Sequence, residues 1–209
     1  MTRPPIQMTY FDLGMVLLRF DHGRCCSHLS SLFDVTFDDA HQALFESGLQ
    51  HSYESGEIST KEFCDALCNR FGKQASEADI RVAVSDIFWM NHPTVAVASQ
   101  LRAAGHRTGI LSNTCEAHWE FVTDGRFKFL NEYFDEIVLS YEAKSMKPDA
   151  NIYQVAIEKS GVAAEEIFFM DDRQENVEGA LAAGIDAVHF THGHRLAKQL
   201  SARGLRFNF

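Results

Sequence analysis

Basic residues are scarce in this chain. Nineteen Lys and Arg stand against 29 Asp and Glu, a net charge of −10. Affinity for nucleic acid comes mainly from cations that neutralise phosphates, so no nucleic-acid partner is expected. A small phosphate could still be held where the site itself is locally positive. No run of 18 apolar residues occurs, so no membrane partner or span is expected. The opening stretch, MTRPPIQMTYFD, carries no long apolar segment ahead of a small-residue cleavage site. No secretory signal is therefore expected, and cytoplasmic residence is the default. The five cysteines, Cys25, Cys26, Cys64, Cys68 and Cys115, form no C-x-x-C pair, and His192-Gly193-His194 stands alone. A structural zinc site is not expected. Cys64 and Cys68, four apart in a helical pattern, read instead as small buried apolar residues. Internal repeats and low-complexity linkers are also absent.

What is present suffices for one good hydrophobic core, or a core with a small subdomain: 209 residues, 45% apolar and 23% charged. Short apolar runs at 6–12 (IQMTYFD), 108–113 (TGILSN), 136–140 (EIVLS), 167–172 (IFFMDD) and 187–190 (AVHF) read as buried strands. Between them lie helical patterns that stop at Gly105, Gly161 and Gly184, each a plausible left-handed C-cap. Strands alternating with helices predict an α/β fold with a doubly wound, Rossmann-like parallel sheet joined by right-handed crossovers. From about residue 22 to 92 the alternation lapses and only helices are predicted. One of them opens with the capping box Ser59 and Glu62 and places Phe63, Leu67 and Phe71 on one stripe; another begins at Ser76. The expected organisation is a core of residues 1–21 and 93–209 with a helical cap subdomain, 22–92, inserted after the first strand. Ligands of open parallel sheets bind beyond the carboxyl ends of the strands. The insertion is therefore placed to roof a site.

The predicted strand ends carry Asp12, then Ser112-Asn113, then Lys147 in SMKPD, then Asp171-Asp172. Taken singly, each has an ordinary reading. Asp12 would be an exposed strand-end acid, Ser112 to Thr114 a cap for a helix near Cys115, Lys147 a surface lysine, and the acid pair a helix N-terminus. Together, in order, FDLGMV, GILSN, MKPD and FMDDRQEN resemble the four motifs of the haloacid dehalogenase (HAD)-like hydrolase superfamily. The helical insertion resembles the small cap of one of its phosphatase subfamilies. Its stretch FESGLQHSYESGEISTKEF is similar to caps of phosphatases near the glucose-1-phosphate phosphatases and the N-terminal phosphatase domain of soluble epoxide hydrolase. The resemblance covers nearly the whole chain.

It implies a phosphatase acting on a small-molecule phosphate, a sugar phosphate being the candidate class, with Mg²⁺ as cofactor. Asp12 would be the nucleophile, forming an aspartyl-phosphate that splits one hard hydrolysis into two easier displacements. A bare carboxylate facing a phosphate dianion is repelled by about 4 kcal/mol at 4 Å and an effective dielectric near 20. A metal ion held by oxygen ligands offsets this. Its ligands would be Asp12, the Gly14 carbonyl and Asp172, with Asp171 the next choice, and Asn176 would hold a metal-bound water. Ser112, the Asn113 N–H and the Lys147 ammonium would bind the phosphoryl oxygens.

Most phosphatases of this superfamily carry a second acid two residues after the nucleophile, where this chain has Gly14. General acid–base help of that kind is worth about 10² to 10⁴ in rate. Three readings follow: a phosphatase for esters whose leaving group needs little protonation, substitution by another group such as Asp21, Arg173 or His22, or a catalytically weak phosphate-binding regulatory protein. A glycine here would also suit a positive φ. Metal-independent dehalogenases of the superfamily lack the second acid too, but they have no use for an acid pair such as Asp171-Asp172. Lys144 stands where relatives often have glycine, and is expected to point outward. His22, Arg24, Tyr53, Glu54 and Trp89 are candidates for the cap side of the pocket. A homodimer is compatible with the sequence.

Overall fold

The computed structural model describes residues 4–208. The first strand, β1 (Met8–Phe11), is buried along its whole length. A short strand, β2 (Leu18–Phe20), then leads into five helices: α1 (His22–Phe33), α2 (Phe37–His41), α3 (Leu49–Glu54), α4 (Thr60–Phe71) and α5 (Glu77–Ser85), with a π-helical turn, Gln42–Glu46, before α3. The chain returns through β3 (Phe88–Met90) and α6 (His92–Ala103) to β4 (Arg107–Ser112), α7 (Glu116–Thr123) and α8 (Phe129–Glu132). It continues as β5 (Glu136–Leu139), α9 (Ser140–Ala143), α10 (Ala150–Ser160), β6 (Ile167–Asp171), α11 (Gln174–Ala182), β7 (Asp186–His189) and α12 (Gly193–Ala202). All five expected strands are present within a residue or two of their predicted bounds. They form a parallel sheet in the order β5-β4-β1-β6-β7.

Side-chain alternation along each strand divides the core between the two faces. Phe11, Ile110, Phe168 and Met170 pack with Val97 and Leu101 of α6 and Leu196 and Leu200 of α12. Tyr10, Leu111 and Phe169 pack on the other face with Ile152 and Tyr153 of α10 and Val177 of α11. Buried aromatic and aliphatic side chains of this kind each stabilise the fold by about 1.5–3 kcal/mol. Helices on both faces make the sheet doubly wound. The stops fall as predicted, with Gly105, Gly161 and Gly184 all at positive φ.

The helical insertion has a core of its own. Cys25, Cys26, Leu29 and Phe33 of α1 meet Phe63, Cys64 and Leu67 of α4 and Ile80 of α5. All five cysteines are reduced and buried. The capping box forms: Ser59 Oγ accepts from Glu62 N at 3.3 Å while Ser59 N donates to Glu62 Oε2 at 2.8 Å.

One expectation is corrected. Residues 22–92 are not wholly helical, because β3 pairs antiparallel with β2. Three residues after a helix give no period-2 signal, and their partner lies 70 positions away across the insertion. The ribbon forms the neck of the cap. Asn91 locks it to the first loop, its N donating to Leu17 O at 3.0 Å and its Nδ2 to Val16 O at 2.8 Å. Among the described residues no helix is long and apolar enough to cross a membrane.

Candidate active site

Parallel pairing brings the strand ends to one edge of the sheet. Phe11 is level with Ile110 on one side and Met170 on the other, so the next residues along, Asp12, Leu111 and Asp171, are level too. Asp12 continues the ladder by donating its N–H to Met170 O at 3.1 Å. Carboxylate oxygens of Asp12, Asp171 and Asp172 all lie within 4.8 Å of one another.

Lys147 reaches this group from the loop before α10. Its Nζ donates to Asp12 Oδ1 at 2.8 Å, Asp171 Oδ2 at 2.6 Å and Leu111 O at 2.9 Å, which engages all three ammonium hydrogens. The side chain is 1% exposed and sits 5.2 Å from the centre of the Phe169 ring. Asn113 holds the lysine loop by a reciprocal pair, Nδ2 to Lys147 O at 2.9 Å and Oδ1 from Lys147 N at 2.8 Å. Burial works against the Lys147 charge, yet the two carboxylates hold its pKa above the ordinary value.

The acids are not equivalent. Asp171 is fully buried and accepts from Lys147, from Arg173 N at 2.9 Å and from Asn176 Nδ2 at 2.9 Å. Asp172 is half-buried and its carboxylate accepts no side-chain hydrogen bond from the described residues. Its pKa is raised, first by burial and then by the charge of Asp171. Burial also pushes Asp12 well above the usual carboxylate range, against the pull of Lys147 and with the push of Asp171.

Three carboxylates stand against one ammonium here, an excess of acidic over basic groups. Asn176 Oδ1, also buried, has no hydrogen-bond partner. Hard oxygen donors with an orphaned amide oxygen beside them fit a small divalent cation such as Mg²⁺. The Gly14 carbonyl accepts from Val16 N at 2.6 Å and has a second lone pair to offer.

Ser112 is buried at the end of β4, with Oγ making only a long local contact to Asn113 O at 3.3 Å. The loop does not cap α7 as its sequence allows, since the N-cap residue Cys115 makes no side-chain bond and Thr114 N donates instead to Ser140 Oγ at 2.9 Å. Beside the loops that follow β1 and β4 lies a cavity of about 50 Å³, lined among others by Gly14, Phe20, His22, Glu54, Ser112 and His118, and not by the three acids themselves. Of the cap candidates, His22 and Glu54 face it. Tyr53 is buried structure, its OH accepting from Ala117 N at 3.0 Å. Arg24 donates to Asp86 O at 3.2 Å, and Trp89 is 44% exposed on β3. Lys144, with φ of 51°, turns away from the acids and donates to Gly56 O in the cap.

Gly14 itself does not adopt a positive φ; Met15 does, at 56°. The glycine answers to space instead. A Cβ there would stand 2.9 Å from Phe20 Cε1, so the ring occupies the region into which a second acid would extend. Phe20, His118, Gln50 and Ser140 were not singled out by their sequence. Phe20, His118 and Ser140 owe their places to contacts far away in the chain, and Gln50 to its bond with Glu54 one helical turn on.

The family model for haloacid dehalogenase-like hydrolases matches residues 57–184. A D-ribitol-5-phosphate phosphatase of Bacteroides thetaiotaomicron is 25% identical over 203 residues, covering 94% of this chain and 97% of that enzyme. A solved HAD family enzyme from the same organism superposes with a TM-score of 0.82 at 27% identity, covering 94% of this chain and 99% of the other. Its complex with magnesium and inorganic phosphate gives 0.78 at 28% identity, over 90% and 96%. An (S)-2-haloacid dehalogenase of a Pseudomonas species is 27% identical over 86% of this chain and 79% of its own length.

Proposed function

The chain belongs to the haloacid dehalogenase-like hydrolases, and from that premise we propose that it is a Mg²⁺-dependent phosphatase of small soluble phosphomonoesters, working through an aspartyl-phosphate on Asp12. The observation that carries this reading is the cluster of Asp12, Asp171 and Asp172 at the strand ends, with Lys147 bonded to the first two. Its support includes relatives that act on phosphorylated sugars or polyols, and the solved complex with magnesium and inorganic phosphate.

Asp12, held in line by Lys147 and by its own place on the sheet ladder, attacks phosphorus and expels the ester oxygen. Ser112 Oγ and the Asn113 N–H bind the equatorial phosphoryl oxygens, and Lys147 lends its charge across Asp12. Asp12, Asp172 and the Gly14 carbonyl would hold the metal, with Asn176 Oδ1 receiving one of its waters. Asp171 is given chiefly to orienting Lys147. When bound, the ion would offset the repulsion between carboxylate and phosphate and polarise a phosphoryl oxygen. We assign the cap to 22–92, closing over the leaving group. A sugar or polyol monophosphate is the class we favour, on the strength of the relatives that act on such esters.

The dehalogenase relative supports a second reading, in which Asp12 attacks carbon without metal. That chemistry leaves the acid pair without a part. A phosphate-release screen over sugar, polyol, nucleotide and amino-acid monophosphates, run beside halide release from 2-haloacids, tests both. Phosphate release from a sugar or polyol ester is expected; halide release alone would overturn the proposal.

A further inference from the structure

The reading above leaves the departing oxygen without a proton donor, because Gly14 stands where a second acid would. Outside the acid cluster, three titratable side chains face the cavity: His22, Glu54 and His118. His118 is engaged, its Nε2 bonded to Val84 O at 3.2 Å, and burial keeps it neutral. His22 lies between the rings of Phe20 and Phe45, with 4.8 Å between centroids on each side, and burial lowers its pKa too. Asp21 and Arg173, the other sequence candidates, are occupied. Asp21 caps α1 by accepting from Gly23 N at 2.8 Å, and Arg173 pairs with Glu175.

Glu54 is differently placed. It ends α3, and its backbone is fastened across the seam to the loop that carries Ser112. Ser140 Oγ donates to Glu54 O at 2.6 Å while accepting from Thr114 N at 2.9 Å. The next residues are tied to the core as well, through Lys144 Nζ to Gly56 O. Glu54 Oε1 accepts from Gln50 Nε2 at 2.8 Å, and Oε2 accepts no hydrogen bond from the described residues. The carboxyl is thus held at a fixed distance from the phosphate loop with one oxygen uncommitted.

We propose that Glu54 is the acid–base group of this site and takes the part that Gly14 leaves empty; the inference rests on the phosphatase reading. As the Asp12 Oδ–phosphorus bond forms and the phosphorus–ester oxygen bond breaks, the Glu54 carboxyl proton passes to the ester oxygen and the alcohol leaves. The Glu54 carboxylate then takes a proton from the water whose oxygen bonds to phosphorus. The Asp12–phosphorus bond breaks, inorganic phosphate departs, and both carboxyl groups return to their starting states. Burial raises the Glu54 pKa above the ordinary carboxyl value, while the Gln50 hydrogen bond, then His51 on its own helix and Arg173 beyond β6, pull the other way. The Cys115 thiol at the start of α7, the imidazoles of His22 and His118 and the Lys144 ammonium on Gly56 O also lie around it.

The test compares esters of graded leaving-group acidity in Mg²⁺-supplied protein, from p-nitrophenyl phosphate to glycerol phosphate. In Glu54→Gln, kcat/KM should fall about 10²- to 10⁴-fold for the alkyl ester and less than tenfold for the p-nitrophenyl ester. An equal loss for both, or no loss, would overturn the proposal. Should the variant not fold, the unaltered protein gives a second readout. Its kcat/KM for the alkyl ester should decline as Glu54 ionises on the alkaline side, with no matching limb for the p-nitrophenyl ester; identical pH profiles would overturn it. Failure of the phosphatase reading is separate and visible first, as absence of turnover of any ester by the unaltered protein.

Discussion

Replacing Lys147 by methionine removes an ammonium that is 1% exposed and leaves Asp12 and Asp171 facing each other, 10% and 0% exposed at their side chains. Breaking a buried pair from one side costs about 3–5 kcal/mol, because the partner charge stays buried without compensation. For a chain of this size each kcal/mol moves the melting temperature by roughly 2–4 °C. A fall of roughly 6–20 °C is therefore expected in metal-free protein at pH 8, read by circular dichroism. The deficit should shrink in acid. Asp12 already has a folded-state pKa above its unfolded value, so it binds more protons folded than unfolded and its contribution to stability falls as pH rises through that interval. Without Lys147 the pKa climbs further and the interval widens. Melting at pH 5 should show a smaller gap between variant and unaltered protein than melting at pH 8. A variant that melts within about 2 °C of the unaltered protein at pH 8, or a gap indifferent to pH, would refute the electrostatic account of the site.

His118 gives a prediction in the opposite sense. Burial lowers its pKa to about 4 from 6.5, so stability is full above pH 6.5 and is lost as pH falls towards 4, by about 3 kcal/mol in all at 1.36 kcal/mol per pKa unit. Urea unfolding of His118→Gln should lose that part of the pH dependence. Gly14→Ala should cost about 1–3 kcal/mol by crowding Phe20, and substantially less in a Phe20→Leu background, as a pair of thermal melts would show. Asp172→Asn should weaken Mg²⁺ binding, measured calorimetrically, by more than Asp171→Asn does in protein that still folds, since Asp171 already serves Lys147, Arg173 and Asn176.

The sheet was legible because its strands are buried on both faces and read as unbroken apolar runs between helices with glycine stops. Asp12, Ser112 and Asp171-Asp172 could be read together because parallel topology puts strand ends side by side; Lys147 was expected at a strand end too, but sits eight residues beyond β5, in the loop before α10. The ribbon of Leu18–Phe20 and Phe88–Met90 was not legible, being three residues long and paired across the insertion. Nor was the cause of Gly14, which a reading of backbone freedom assigns to φ and the structure assigns to the Phe20 ring. Glu54 was one of five cap candidates, and only the Ser140 bridge and the cavity set it apart from Tyr53, whose hydroxyl is spent on Ala117 N and Thr60. Lys144 was expected to point outward, away from the phosphate site. It leaves the acids as expected and ends on the cap carbonyl of Gly56.

The central claim is that Asp12 is a metal-assisted nucleophile towards phosphorus. Phosphate release from p-nitrophenyl phosphate, followed with and without Mg²⁺ in the unaltered protein and in Asp12→Asn, tests it most directly. The account predicts turnover that requires the metal and vanishes in the variant. Release that proceeds without metal and survives the loss of the Asp12 carboxylate would contradict it.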